Sequence, residues 1–229
     1  MNLFDLTGKT ALVTGKSGML APVWVETLEN AGCKVYCGEP PELDVTNKES
    51  IGKFWDKGYA FAPDIIINSA AIDNPPQSKA TFFGNCKEII DVNLQGAVNI
   101  CEYFIPKMIE SGGGVIVNIG SIQGYRGAVK RNYVDFEKPI GYNLSKAALL
   151  QLSRSITTQY GDKNVRSVTI AFGAYDGGKL DPIFLAKFLR DVPLNRPISK
   201  QSVRTALLFA CCCPEFAGQS VLIDAGFCS

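Results

Sequence analysis

The chain has 229 residues, 46% hydrophobic and 20% charged, with a net charge of +1, 8 cysteines and no histidine. That length accommodates one large α/β domain with a sizeable core, and the near-neutral balance points to neither nucleic acid nor a charged membrane surface as a partner. No apolar run reaches the ~18 residues of a membrane span, and Met1-Asn2-Leu3-Phe4-Asp5-Leu6 lacks the basic and apolar regions of a secretory signal, so a cytoplasmic protein acting on a small-molecule substrate is expected.

Lys9–Thr14 is a short apolar run and reads as a buried strand. A glycine-rich turn follows, Thr14-Gly15-Lys16-Ser17-Gly18-Met19-Leu20-Ala21, and then a helix to about Asn30. Lys34–Cys37 is a second strand, after which Gly38–Asp44 is too short for a full crossover helix. Strands are expected at Asp64–Asn68, Gly114–Ile119, Arg166–Ala171 and Ser220–Asp224, alternating with helices at 47–59, 84–110, 141–160, 181–190 and 199–212. Continuous apolar strands, rather than alternating ones, are what a parallel sheet covered on both faces requires. The pattern therefore predicts a doubly wound, Rossmann-type parallel sheet in a single domain spanning residues 1–229, with its ligand beyond the carboxyl ends of the strands. Gly124–Pro139 interrupts the rhythm as a polar and aromatic insert of the kind that lies on the surface and shapes a site.

The cysteines form no Cys-x-x-Cys pair, and without histidine a mixed zinc site cannot be completed. Cys33, Cys37, Cys86, Cys101 and Cys228 are scattered and Cys211, Cys212 and Cys213 are consecutive. They read as thiols acting as small buried hydrophobes in a reducing compartment, and no metal is expected.

Chemistry concentrates at strand ends. Gly15 and Gly18 let the backbone approach a pyrophosphate whose charge is stabilised at a helix N-terminus. Glu39, 24 residues after Gly15 and just past the second strand, is placed to accept hydrogen bonds from ribose hydroxyls. A carboxylate there repels a 2′-phosphate and so favours NAD, while Lys16 in the turn pulls toward a phosphorylated cofactor and keeps NADP as the alternative. Further along, Ser121 ends an apolar run and Tyr142-Asn143-Leu144-Ser145-Lys146 follows 21 residues later. Positions i and i+4 share a helix face, so the Lys146 ammonium is expected to lower the Tyr142 phenol from its ordinary value of about 10. In a chain without histidine, such a tyrosine is the best proton-transfer group present.

Taken together these residues resemble the short-chain dehydrogenases/reductases in their compact form. The resemblance runs through the glycine turn, Leu43-Asp44-Val45-Thr46, Asn68-Ser69-Ala70-Ala71, Asp91-Val92-Asn93-Leu94-Gln95-Gly96, Asn118-Ile119-Gly120-Ser121, Tyr142 with Lys146, and Ile223-Asp224-Ala225-Gly226. It implies Tyr142 as general acid or base, Lys146 tuning it and binding the nicotinamide ribose, Ser121 on the substrate oxygen, and Asn93 holding a relay water. It also implies cofactor contacts along Thr14, Gly15, Lys16, Ser17, Gly18, Met19 and Leu20, at Glu39, Asp44 and Val45, along Asn68, Ser69 and Ala70, and at Tyr142, Lys146, Phe172 and Gly173. A homodimer or homotetramer through helices 84–110 and 141–160 is implied as well. The expected activity is the NAD(P)-dependent interconversion of a secondary alcohol and a ketone.

Departures fall on the cofactor side. The glycine turn is one residue short of the family's usual form, and Phe172-Gly173 stands where Pro-Gly is usual, with Tyr175-Asp176 replacing a threonine. The insert adds Arg126, Lys130, Arg131, Asn132, Tyr133, Asp135 and Glu137. Lys138-Pro139-Ile140-Gly141-Tyr142, Gly173–Gly177 and Val192–Arg196 resemble oxidoreductases of bacterial surface-sugar pathways, including flagellin glycosylation, which implies a sugar-like substrate. Two alternatives stay open: a dinucleotide-binding protein without catalysis, serving regulation or assembly, and a sugar-nucleotide epimerase or dehydratase.

Overall fold

The computed structural model describes residues 3–56, 62–73, 81–133, 137–178 and 180–229. The apolar runs form six parallel strands: β1 (Thr10–Thr14), β2 (Lys34–Gly38), β3 (Ile65–Asn68), β4 (Gly114–Ser121), β5 (Val165–Phe172) and β6 (Ser220–Ile223). They lie in the order β2-β1-β3-β4-β5-β6. One row of the register runs Cys37–Val13–Ile67–Val117–Val168 across the first five strands.

The crossovers are α1 (Ala21–Asn30), α2 (Lys48–Asp56), α3 (Cys86–Ile90), α4 (Gly96–Glu110), α5 (Ile140–Tyr160), α6 (Pro182–Leu189) and α7 (Lys200–Cys212). Their starts are written locally. The Asn47 side chain accepts from the Glu49 and Ser50 amides at 2.9 and 3.2 Å ahead of α2, and Ser199 accepts from the Ser202 amide at 3.0 Å ahead of α7. Asp181 caps α6 in the same way, with Pro182 at its first position.

Because side chains alternate across a strand, each buried strand feeds two cores. Ala11, Val13, Ile65, Ile67, Val115 and Val117 pack with Trp24 and Leu28 of α1 and Val203 and Leu207 of α7. Leu12, Ile66 and Ile116 face the other way, against Ile51 and Trp55 of α2 and Ile100 and Phe104 of α4, with Ile156 of α5. A third cluster, Ile122, Phe188, Val192 and Phe227, sits apart from both.

The doubly wound sheet is as the sequence predicts, with two differences. The helix expected over 84–110 is α3 and α4 joined by a π turn at Asp91–Gln95, an irregularity frequent at functional positions. The helix expected over 47–59 ends at Asp56, and residues 57–59 lie outside the described ones. Among the described residues no helix is long and apolar enough to cross a membrane. Only Cys33 and Cys101 are buried, with burial pushing both thiols up to about 12; the other six cysteines are half-buried, so the expectation of mostly buried thiols does not hold.

Candidate active site

In the order β2-β1-β3 the chain leaves β1 and β3 on neighbouring strands, and a crevice opens beyond their carboxyl ends. Its floor is tied together by Thr14, whose hydroxyl accepts from the Ser69 and Ala70 amides at 3.1 and 3.0 Å. Gly15 has a φ of +76°, and a Cβ there would lie 2.8 Å from the Ala70 Cα, so both its conformation and its neighbour require glycine. The turn continues with the Gly18 amide donating to Gly15 O at 3.0 Å. Gly18, Met19 and Leu20 then line a cavity of about 390 Å³ that also contains Ser69, Ser121, Tyr142, Lys146, Phe172 and Gly173.

Ser121, Tyr142 and Lys146 meet in that cavity because β4 and α5 pack together. Gly124, in the 3-10 turn after β4, sits against α5 so closely that a Cβ would lie 2.9 Å from the Lys146 carbonyl. Gly141 is pressed on α3 in the same manner, 2.9 Å from the Cys86 Cα. Ser121 Oγ accepts from the Gln123 amide at 3.2 Å and lines the same cavity as the Tyr142 phenol. Lys146 is 4% exposed, donates to Ile119 O at 2.7 Å, and holds its Nζ 5.6 Å from the centre of the tyrosine ring.

The ionisation of this set differs from the sequence expectation. Tyr142 is pushed up, not down: enclosure of the phenol is the largest cause, the Asp73 carboxylate adds to it, and the Ser121 side chain opposes it only in part. Burial also brings Lys146 down to about 8. The i, i+4 spacing brings Lys146 Nζ within 5.6 Å of the ring centre, but desolvation sets the direction of the shift.

Asn93 lies in the π turn rather than on a regular helix, and it does not line the cavity. Its side-chain amide clamps Ile72, accepting from the Ile72 amide at 2.7 Å and donating to Ile72 O at 2.9 Å. It also donates to Ser145 Oγ at 3.3 Å, and Ser145 Oγ donates to Tyr142 O at 2.8 Å.

The remaining predicted residues divide between surface and core. Glu39 accepts from the Ser17 amide at 2.8 Å, which brings its carboxylate onto the glycine turn and lowers its pKa. Lys16 is paired with Glu42 at 2.8 Å. Asp44 accepts from the Thr46 amide and hydroxyl at 2.9 and 2.7 Å, while Val45 is buried and its carbonyl accepts from Asn99 at 3.0 Å. Asn68 turns inward and donates to Asn118 at 2.9 Å. Phe172 packs on Trp24 with ring centres 5.7 Å apart, and Gly173 is held 2.9 Å, as measured from an ideal Cβ, from the Asp224 Cα.

Most polar groups of the insert anchor it. Arg126 donates to Phe227 O at 2.9 Å, Arg131 and Asn132 donate to Asp191 at 2.6 and 2.9 Å, and Glu137 accepts from the Phe82 amide at 2.9 Å. Asp135 lies outside the described residues. Tyr133 reaches the cavity, as does Lys138, which pairs with Asp73. Asp73, Lys138 and Gln123 are the site residues that motif reasoning passes over. Gln123 is 8% exposed, lines the cavity, and its Oε1 meets no partner among the described residues. Two weak signals existed: Gln123 follows Ser121 by two positions, and Lys138 precedes Tyr142 by four.

Comparison with known proteins agrees with this geometry. A family model described as enoyl-(acyl carrier protein) reductase matches residues 14–228. The 3-oxoacyl-(acyl-carrier-protein) reductase FabG of Aquifex aeolicus is 28% identical over 210 residues, covering 89% of this chain and 80% of its own. A short-chain dehydrogenase of Leptospira borgpetersenii, solved with bound NAD+, superposes with a TM-score of 0.81 at 22% identity, covering 99% of this chain and 95% of its own. A gluconate 5-dehydrogenase of Burkholderia cenocepacia, solved with NADP and tartrate, gives 0.79 at 19% identity over 99% and 97%. The residues here fit such a cofactor: the cavity runs without a break from Gly18–Leu20 to Tyr142, and Glu39 offers an acceptor at the end of β2. With residues 14–228 matched by that family model and a crevice at the switch point of its sheet, the chain belongs to the short-chain dehydrogenase/reductase family of NAD(P)-dependent oxidoreductases.

Proposed function

We propose that the protein interconverts a ketone and a secondary alcohol on a small polar, sugar-like substrate, with NAD preferred to NADP. The observation that carries this reading is the meeting of Ser121, Tyr142 and Lys146 in one cavity continuous with the glycine turn. A bound nicotinamide supplies hydride transfer at the substrate carbon; the chain's own residues bind, orient and move the proton. Tyr142 donates its phenol proton to the substrate oxygen in reduction and takes it back in oxidation. Ser121 donates a hydrogen bond to the same oxygen, and Lys146 holds the nicotinamide ribose. Asn93 acts behind them, by holding Ile72 and, through Ser145, the first turn of α5.

At neutral pH the phenol is protonated, the form that donates to a carbonyl in reduction. Glu39 on the glycine turn supports NAD, because a carboxylate there repels a 2′-phosphate. Lys16, which would draw such a phosphate, has its ammonium on Glu42 instead. The polar groups Asp73, Lys138 and Gln123 on the cavity wall favour a hydroxylated substrate over a long acyl chain. The Aquifex relative is named as the reductase of an oxo group, which is the same change at carbon. Assembly as a homodimer or homotetramer through α4 and α5 belongs to the same proposal.

One experiment tests it. NADH and NADPH oxidation is followed against a panel of small ketones and keto-sugars, in wild type and in Tyr142→Phe. Turnover is expected with NADH in wild type and is expected to fall by about 10³-fold or more in the variant, with cofactor binding retained. A fully active Tyr142→Phe sinks the assignment.

A further inference from the structure

The ion pair between Lys138 and Asp73 lies against the ring of Tyr142, outside the Ser121–Tyr142–Lys146 set. Lys138 Nζ is 4.0 Å from the ring centre, nearer than Lys146 Nζ at 5.6 Å. The Lys138 side chain is 10% exposed and that of Asp73 37%, and both partners line the cavity. Both are also fixed from behind. Asp73 follows Ile72, whose backbone is clamped on both sides by Asn93, and Lys138 follows Glu137, which accepts from the Phe82 amide. Solvent screens a fully exposed ion pair into near irrelevance; here the carboxylate is partly open to water but the ammonium is enclosed, and a buried charge acts more strongly on a ring a few ångströms away.

We propose that Asp73 and Lys138 form a second charged pair of the proton-transfer site, acting on Tyr142 in concert with Lys146. This rests on the reading of Tyr142 as the acid and base. The two members work in opposite senses. The carboxylate opposes formation of a phenolate, whereas an ammonium over the ring favours it. The groups around the phenol are Lys146 from its own helix, Asp73 from the segment after β3, Lys138 and Tyr133 from the insert, and the neutral Ser121 from β4. The charged residues of α3, which packs on α5, are Lys87 and Glu88, and both are exposed. Asp73 is the charge that most holds the proton on Tyr142, and it favours the charged forms of Lys146 and Lys138 as well. One carboxylate thus sustains the state from which a proton is given to a carbonyl. Asp73 and Lys138 are positioning residues, since they act through the tyrosine.

Carbon-labelled tyrosine NMR of the full chain reads this without any substrate, the Tyr142 resonance being assigned by its loss in Tyr142→Phe. Asp73→Asn is expected to ionise Tyr142 about one pH unit earlier than wild type, and Lys138→Met about one unit later. Lys138→Arg is expected close to wild type, and the double variant Asp73→Asn/Lys138→Met between the singles. Where the wild-type midpoint lies above the pH at which the fold persists, the fraction ionised at the highest such pH is compared instead. Should Asp73→Asn not fold, Lys138→Met carries the comparison with opposite sign. Equal ionisation in wild type and the folded variants overturns the pair's role. Full turnover in Tyr142→Phe overturns instead the acid–base reading, whatever the NMR shows.

Discussion

Two buried polar regions share helix α5, and they are built on opposite terms. Under the sheet, Asn118 donates to Ser153 and Ser167 at 2.9 and 3.1 Å and accepts from Asn68 at 2.9 Å. Ser153 meets Thr169 at 2.8 Å, and Thr169 reaches the Leu149 carbonyl at 3.2 Å. None of these groups titrates, and of them Asn68 Oδ1 alone has no partner among the described residues. About two turns earlier along α5, the cavity gathers Tyr142 and Lys146, both displaced from their ordinary ionisation, beside the unmatched Gln123 Oε1. Burial with partners builds structure. Burial beside open space, with shifted ionisation, leaves chemistry for a ligand to complete.

The seam gives the largest expected effect. Asn118 is fully buried, and Asn118→Ala leaves two hydroxyls and the Asn68 amide short of a partner. At about 1–3 kcal/mol for each such group, a loss of ~3 kcal/mol or more is expected in urea unfolding. NADH affinity of the folded fraction should change little. A loss under ~1 kcal/mol would make the seam a passive feature and remove the contrast drawn above.

Lys146 carries the opposite signature, because its burial is a strain on the fold. The folded protein sheds the Lys146 proton near 8 and the unfolded chain near 10.5. Between those values the unfolded state holds more protons, so wild-type stability gains with rising pH relative to a chain without this group. Lys146→Met is such a chain. Its stability relative to wild type is expected to fall as pH rises through that window, by on the order of 3 kcal/mol in all. Parallel pH profiles of stability for the two proteins would show that Lys146 is not desolvated.

The two regions were unequally legible in the sequence. Strands and helices follow from apolar runs, caps and glycines, and these are local signals; even Gly15, whose φ of +76° demands glycine, announces its turn. Ser121, Tyr142 and Lys146 were legible because their spacing fixes a strand end and a helix face. The seam was not. Asn68 ends β3 and Asn118 lies within β4, each in a motif that suggests ligand contact, and only the register of β3 against β4, which pairs them, turns their amides toward each other. Asp73 and Lys138 are 65 positions apart, and nothing local says that they meet. The sign of the Tyr142 shift was also beyond reach, because it depends on how completely the neighbours exclude water.

Gln123 tests which of the two regions a buried amide belongs to. It is buried, though less fully than the seam residues, its carbonyl oxygen meets no partner among the described residues, and it stands two residues from Ser121 on the cavity wall. If a substrate hydroxyl completes it, Gln123→Leu removes a hydrogen bond made equally in the ground and transition states. KM is then expected to rise roughly five- to tenfold with kcat little changed, the effect of about 1 kcal/mol of uniform binding. Stability should hold or improve by up to ~1 kcal/mol, since an apolar side chain relieves an unmet acceptor. A variant that loses stability while keeping its KM would place Gln123 with Asn118, as a structural amide whose partner is part of the fold. The rise in KM without loss of stability would instead make it the residue that measures the hydroxyl next to the reacting carbon.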